Sequence, residues 1–364
     1  MRLGGAWKQK WQRGQKELFA FFVFFALFAS PIDLLTTNSQ GNYGWPDSGA
    51  AETQRNAEVA QKAPLIYWTG GIETAESLKQ AGIEQIATEP NMAAAWRNAG
   101  FKVVAVSQAE LNRRKKLLTP RVAGRANVAS ATRRPWIDAN GWRFVRDPAG
   151  GFYYDLPQGK AALAFAEAFA HKAAAVLKIE PADMTEAGAM IAFTKNLSGE
   201  DYPPIADIGV IDDRSPEMGE VMNLLTRRNL LFRIVPAATP KFSVNIKLGS
   251  KEYPKASVAD PSEFAQKVRR RLGDDNRSLR IYGTETVICR LTGDGARARL
   301  HLLNYSGREV DGLRMRLRGN YSRGEANVFG VGRVELEDFS NDETSTEFTV
   351  SKMGIYAVID LIRL

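Results

Sequence analysis

From Pro64 onward the chain alternates short apolar runs with stretches of helical period. Apolar runs predict strands over 65–68, 83–87, 101–106, 174–179, 205–211 and 230–235. Between them the spacing predicts helices over 73–80, 92–98, 109–118, 160–172, 184–196 and 218–228. This alternation implies βαβ units and a mainly parallel sheet. About seven strands, with 242–248 as an eighth, suit a (β/α)-barrel that is small or incomplete. An open doubly wound sheet is the alternative. One more helix is expected at 260–272, where Asp260 caps, Pro261 opens and Gly273 closes it.

After Asp275 the period changes to two and stays there. Runs over 279–282, 286–291, 298–304, 312–318, 325–329, 333–338, 346–350 and 355–361 predict about eight short strands. Gly, Asn and Asp turns separate them, the pattern of an antiparallel β-sandwich. The last strand is expected inside the sandwich. The fold class is therefore α/β followed by all-β, divided into an α/β domain at 64–275 and a β-sandwich at 276–364.

One stretch interrupts the α/β pattern. Arg133-Arg134-Pro135-Trp136-Ile137-Asp138-Ala139-Asn140-Gly141-Trp142-Arg143-Phe144 carries Asn-Gly between alternating residues, a strong short-range hairpin signal. The predicted hairpin places Asp138 opposite Arg143, and Ile137 opposite Phe144. A turn at Asp147-Pro148-Ala149-Gly150-Gly151 leads into Phe152-Tyr153-Tyr154-Asp155, making an aromatic insert over 133–157. Flat rings beside carboxylates and guanidinium groups suit sugars, whose C–H faces stack and whose hydroxyls take paired hydrogen bonds. The expected ligand contacts are Arg133, Arg134, Trp136, Trp142, Arg143, Tyr153, Tyr154 and Asp155. A structural alternative is that these rings only cover the end of the sheet.

Composition narrows the classes. The 364 residues are 44% hydrophobic and 25% charged, ordinary for a globular chain of two domains. The formal net charge is +8, but no basic run carries regular aromatics, so no nucleic-acid partner is expected. Cys289 is the single cysteine, so no intrachain disulfide can form; its alternating context predicts a small buried residue. His171 and His301 are the only histidines, and no His/Cys metal cluster can be assembled from them. There is no nucleophile elbow, P-loop or dinucleotide fingerprint, and no cofactor is expected.

The N-terminus points to export. Arg2, Lys8, Lys10, Arg13 and Lys16 precede the apolar run 18–29, the order of a secretory signal. Leu27 and Phe28 make a poor cleavage site, so an uncleaved inner-membrane anchor within 1–35 is the alternative. Either reading places the rest in the periplasm or outside the cell. Residues 36–63 read as a polar linker.

In a parallel α/β domain the ligand lies at the carboxyl ends of the strands. Three predicted strands end in carboxylates: Thr88-Glu89-Pro90, Ile179-Glu180-Pro181 and Ile211-Asp212-Asp213. With Asp138 and Asp155 these are the candidates for general acid, base or nucleophile at a glycosidic bond, where carboxyl separation sets the stereochemistry. Helix capping is the alternative for Glu89 and Glu180. Ser215 is the better cap before Pro216, which leaves Asp212 and Asp213 without that job.

Arg297-Ala298-Arg299-Leu300-His301-Leu302-Leu303-Asn304-Tyr305, with Val310-Asp311-Gly312-Leu313-Arg314-Met315-Arg316 and Gly354-Ile355-Tyr356-Ala357-Val358, resembles the C-terminal β-domain that follows the barrel in bacterial glycoside hydrolases. The stretch 205–236 is similar to the amidotransferase-like domain of some β-galactosidases. The cysteine and histidine an amidotransferase needs after its strands are absent. The resemblance implies a glycoside-hydrolase-like protein with a carbohydrate partner, either hydrolysing a glycan or, as the alternative, only binding it. A non-catalytic subunit of an envelope complex is the third reading.

Overall fold

The computed structural model describes residues 63–123, 135–197 and 202–364. The signal or anchor, nearly all of the linker, and Arg133 and Arg134 lie outside the described residues.

The first layer is a six-stranded, all-parallel sheet. Its strands are β1 (Leu65–Tyr67), β2 (Gln85–Thr88), β3 (Lys102–Ala105), β4 (Lys115–Lys116), β7 (Gly151–Asp155) and β8 (Ala174–Lys178), in the order β3-β2-β1-β8-β7-β4. The edge strands β3 and β4 do not pair, so the sheet is open rather than closed. Helices α1 (Ala75–Gln80), α2 (Ala93–Asn98), α3 (Gln108–Arg113), α5 (Ala161–Ala170) and α6 (Met184–Lys195) connect the strands. Predicted helix 109–118 ends early: Arg114 is extended, and the chain becomes edge strand β4.

Strand alternation gives the sheet two unlike faces. Ile66, Trp68, Ile86, Leu177, Phe152 and Tyr154 join the large core with α5 and α6. Leu65, Tyr67, Ala87, Val106 and Val176 share a much smaller core with Leu111 of α3, flanked by Val104 and Tyr153.

Asn140-Gly141 is not a hairpin tip. Strand β6 (Trp136–Asp138) pairs instead with β5 (Arg121–Ala123), and Asn140 precedes helix α4 (Gly141–Arg146). Asn140 has φ −104°, not the positive value a type I′ turn requires. Its backbone N–H and side-chain amide are taken by the buried Glu167 carboxylate, and the amide also donates to Leu118 O. Trp142 and Phe144 are both buried, which a solvated hairpin could not achieve.

A second, separate parallel sheet holds β9 (Ile208–Val210) between β10 (Phe232–Ile234) and β11 (Val244–Ile246). The single sheet expected from the sequence is thus split in two. Helices α7 (Pro216–Arg227) and α8 (Pro261–Leu272) cover this layer, with Trp142 in the same core. A Cβ on Gly219 would sit 3.2 Å from the Trp142 ring, so glycine lets α7 close on that indole.

The C-terminal part is a two-sheet antiparallel sandwich. One sheet runs β13-β14-β20-β16-β17, the other β12-β15-β19-β18. Its strands are β12 (Leu279–Tyr282), β13 (Val287–Gly293), β14 (Arg297–Asn304), β15 (Val310–Arg318), β16 (Glu325–Val328), β17 (Gly332–Glu335), β18 (Glu337–Asn341), β19 (Ser345–Met353) and β20 (Tyr356–Ile362). The last strand, β20, is central in its sheet, as its alternation predicted. Cys289 is buried, and burial pushes its thiol pKa up.

Candidate functional site at the carboxyl edge of the parallel sheet

Register decides which side chains share the sheet edge. Tyr67 pairs with Lys178 and with Ala87, and Lys178 pairs with Asp155. Paired residues face the same way, so Tyr67, Lys178 and Asp155 stand side by side. Glu89 lies just past the end of β2, two residues beyond Ala87. Lys116 pairs with Tyr153, two residues before Asp155. The result is a polar row across five strands, on the face opposite the α5–α6 layer, at the carboxyl ends of the strands.

The row is joined by hydrogen bonds. The Tyr67 hydroxyl donates to Glu89 Oε1 at 2.7 Å. Burial, then this bond, raises the Tyr67 pKa well above that of a free phenol, so Tyr67 remains a donor. Asp155 lies between two ammonium groups, Lys178 at 3.2 Å and Lys116 at 3.3 Å. Burial opposes ionisation of Asp155, but the bonds from Lys178 and Lys116 outweigh it and hold its pKa low. Lys178 is raised in turn, first by Asp155 and then by the nearby Tyr153 and Glu180. Glu180 itself is exposed. The edge therefore offers a half-buried carboxylate oriented by a phenol, an exposed carboxylate, and a Lys–Asp–Lys cluster.

Of the predicted site residues, Glu89, Glu180, Tyr153 and Asp155 meet here. The others do not. Tyr154 points to the opposite face and donates to Glu167 at 2.7 Å. Asp138 is held by Arg121 at 3.3 Å and by the Trp136 indole N–H at 3.2 Å, not by Arg143. The Arg143 guanidinium lies 4.3 Å from the Trp142 ring and donates to Asn140 Oδ1.

Trp142 is enclosed in the second α/β layer, and Trp136 is faced by the Arg227 guanidinium at 3.7 Å. Asp212 and Asp213 follow β9 of the other sheet, so they do not share a rim with Glu89 and Glu180. Asp212 is 3% exposed at the side chain and takes a two-pronged bond from Arg146, at 3.0 and 2.8 Å. Asp213 accepts from the backbone and hydroxyl of Ser215, which caps α7 through Met218 N.

Tyr67, Lys178 and Lys116 were not anticipated. The available signal was a polar residue closing an otherwise apolar strand, as Lys178 closes Ala174-Ala175-Val176-Leu177. Only the register shows that it faces Asp155.

No protein-family model and no curated protein sequence matches the chain. Solved structures similar to parts of it include three sugar-processing enzymes. One is alpha-L-fucosidase isoenzyme 2 from Paenibacillus thiaminolyticus: 10% identity, TM-score 0.47, covering 75% of this chain and 71% of that one. Another is a GH42 β-galactosidase from G. stearothermophilus: 8% identity, TM-score 0.33, covering 79% and 61%. A third is the β-galactosidase from Rahnella sp. R3: 10% identity, TM-score 0.32, covering 79% and 62%. The chain spans less than two thirds of the length of these two β-galactosidases.

Proposed function

We propose that this is an exported, carbohydrate-active protein that takes a glycan along the carboxyl edge of its six-stranded sheet. The observation that carries the reading is the in-register row Glu89, Tyr67, Lys178 and Asp155 at that edge. Carboxyl edges are where parallel α/β domains hold ligands. Sugar hydroxyls need both donors and acceptors, and the row supplies both. Tyr67 occupies one oxygen of Glu89 and fixes its position; the second oxygen is left for a substrate hydroxyl or a proton. Glu89 and Glu180 are then the carboxylates for acid–base work on a glycosidic bond, with Tyr153 as the ring beside them. Export is supported by the basic segment followed by an apolar run at the N-terminus.

A second reading is a non-catalytic glycan-binding protein or envelope-complex subunit. Two observations favour it: the sheet is open, and Asp155 is already neutralised by two lysines. A panel of soluble neutral oligosaccharides, assayed for binding and for products, separates the readings. Turnover that Glu89→Gln abolishes while binding persists identifies a hydrolase. Binding without products identifies the second reading. Neither binding nor turnover across the panel contradicts both.

A further inference from the structure

A concave site lies away from the sheet edge. A cleft of about 770 Å³ opens between the end of α7, helix α8 and the first sandwich strand. Five arginines line it: Arg227, Arg228, Arg269, Arg277 and Arg280. Glu285 is the one acid among the lining residues. Asp274 stands behind them, taking two bonds from Arg269 at 2.8 and 2.6 Å and lying 3.6 Å from Arg277 and 3.9 Å from Arg280. Asp207, near Arg277, is held by Ser278. Among the described residues, these five guanidinium groups face three carboxylates.

Arg277 makes the excess specific. It is 8% exposed. Its Nη2 donates to Asn229 O at 3.3 Å, and its Nε, fully enclosed, has no partner. Burial first, then the charge of Arg269, lowers its pKa against the opposing pull of Asp274 and Asp207. Buried donors are rarely left unfilled, and like charges rarely share a cavity without an anion. The rings beside the cleft are already faced by guanidinium groups, Trp136 by Arg227 at 3.7 Å and Tyr282 by Arg280 at 5.2 Å. Stacking is thus used within the protein, and what the cleft offers a ligand is chiefly donors. That suits a hydroxyl-rich anion better than a nucleobase.

We propose that this cleft binds an anionic saccharide, its carboxylate or its phosphate or sulfate ester held by the guanidinium forks. The volume lies within the range of small-molecule sites, about 300 to 1,000 Å³. This inference stands apart from the reading at the sheet edge: one needs the arginine cleft, the other needs Glu89 and Lys178.

The test is titration calorimetry on the full chain at low ionic strength. The probes are trigalacturonic acid, glucose 1-phosphate, a heparin tetrasaccharide, maltotriose and inorganic phosphate. At least one anionic saccharide is expected to bind, more weakly as salt is added. The oxyanion it carries identifies the source. Arg280→Gln should weaken that binding about tenfold, the scale of one charge-assisted hydrogen bond. Arg277→Gln should weaken it further; Arg280→Gln, at a more exposed position, decides the matter if Arg277→Gln does not fold. Lys102→Met, on the edge strand β3, should leave it unchanged. The proposal is overturned if no anionic probe binds, if binding survives Arg280→Gln, or if maltotriose binds as tightly and is weakened by Arg280→Gln to the same degree. It is also overturned if inorganic phosphate alone binds as tightly as the best saccharide.

Discussion

The Tyr305 hydroxyl donates a 2.7 Å hydrogen bond to Oε1 of Glu167, joining the sandwich to the middle of the alanine-rich helix α5. Glu167 is 0% exposed. Its two oxygens also accept from Tyr154 Oη at 2.7 Å, from Asn140 N at 2.5 Å and from Asn140 Nδ2 at 3.1 Å. One buried carboxylate thus fastens a sheet strand, the start of α4 and the sandwich to α5. A buried charge is expensive unless it is fully hydrogen-bonded, and four donors meet that need. The burial and the carboxylate also push the pKa of both tyrosines well up, so they stay protonated as donors.

Tyr305→Phe should therefore destabilise the protein by about 1–3 kcal/mol, the cost of leaving a buried acceptor short of a donor. Tyr154→Phe should cost a similar amount, and the double variant should depart from additivity because both serve one carboxylate. Urea unfolding monitored by tryptophan fluorescence measures all three. Additive or negligible losses would mean that Glu167 is not the shared acceptor.

Asp212→Asn is a stability variant here. Its carboxylate pairs with Arg146, whose side chain is 16% exposed, at the junction of α4 and the β9–α7 loop. Breaking a buried ion pair costs about 3–5 kcal/mol, and the partial exposure of Arg146 places this case toward the lower end. The expected outcome is a lower unfolding midpoint with glycan affinity unchanged. A large loss of glycan affinity at full stability would instead place Asp212 in a binding site.

These two cases show what could be read along the chain and what could not. Apolar alternation and the change of period after Asp275 are local, and they located a parallel α/β part, the sandwich and the central last strand. The position of Glu89 and Glu180 at strand ends was legible because each closely follows an apolar run. Asn140-Gly141 misled because a short-range turn signal was overridden by Glu167, 27 residues away. Asp212 looked uncommitted because its partner Arg146 lies 66 residues earlier. Tyr67 and Lys178 join the candidate row only through register, which no local pattern states.

Stability should fall with acidification before most carboxylates titrate. His171 is half-buried against α5, and its pKa is pulled down to about 3 by desolvation and then by Arg290. His301, bonded to Tyr356 Oη, is lowered well below normal by burial, then by Arg290 and Arg299. Both are neutral when folded and protonate at about 6.5 when unfolded. The unfolded state thus binds more protons below about pH 6.5, so stability is fully present above that pH and is lost as pH falls toward the folded values. The slope approaches about 1.4 kcal/mol per pH unit for each histidine. Since the chain has 2 histidines, His171→Gln with His301→Gln should flatten the curve between about pH 5.5 and 6.5. A wild-type curve already flat in that window would show that they can charge in place.

Lys178→Met should raise the Asp155 pKa, because the bond that chiefly opposes its burial is lost. Carbon-detected NMR titration of the carboxyl reads the shift directly. The pair is about 40% exposed on each side, so stability should change by less than about 1 kcal/mol. An unchanged titration would mean that Lys116 alone holds Asp155.

The central claim is that a glycan lies along the carboxyl edge of the open parallel sheet. A crystal structure with a neutral oligosaccharide that the protein binds tests it most directly. The predicted complex has sugar hydroxyls within hydrogen-bond distance of Glu89 and Lys178, and a sugar face against Tyr153. Sugar seated against Trp136 or Trp142, in the arginine cleft alone, or at the amino edge of the sheet would contradict it.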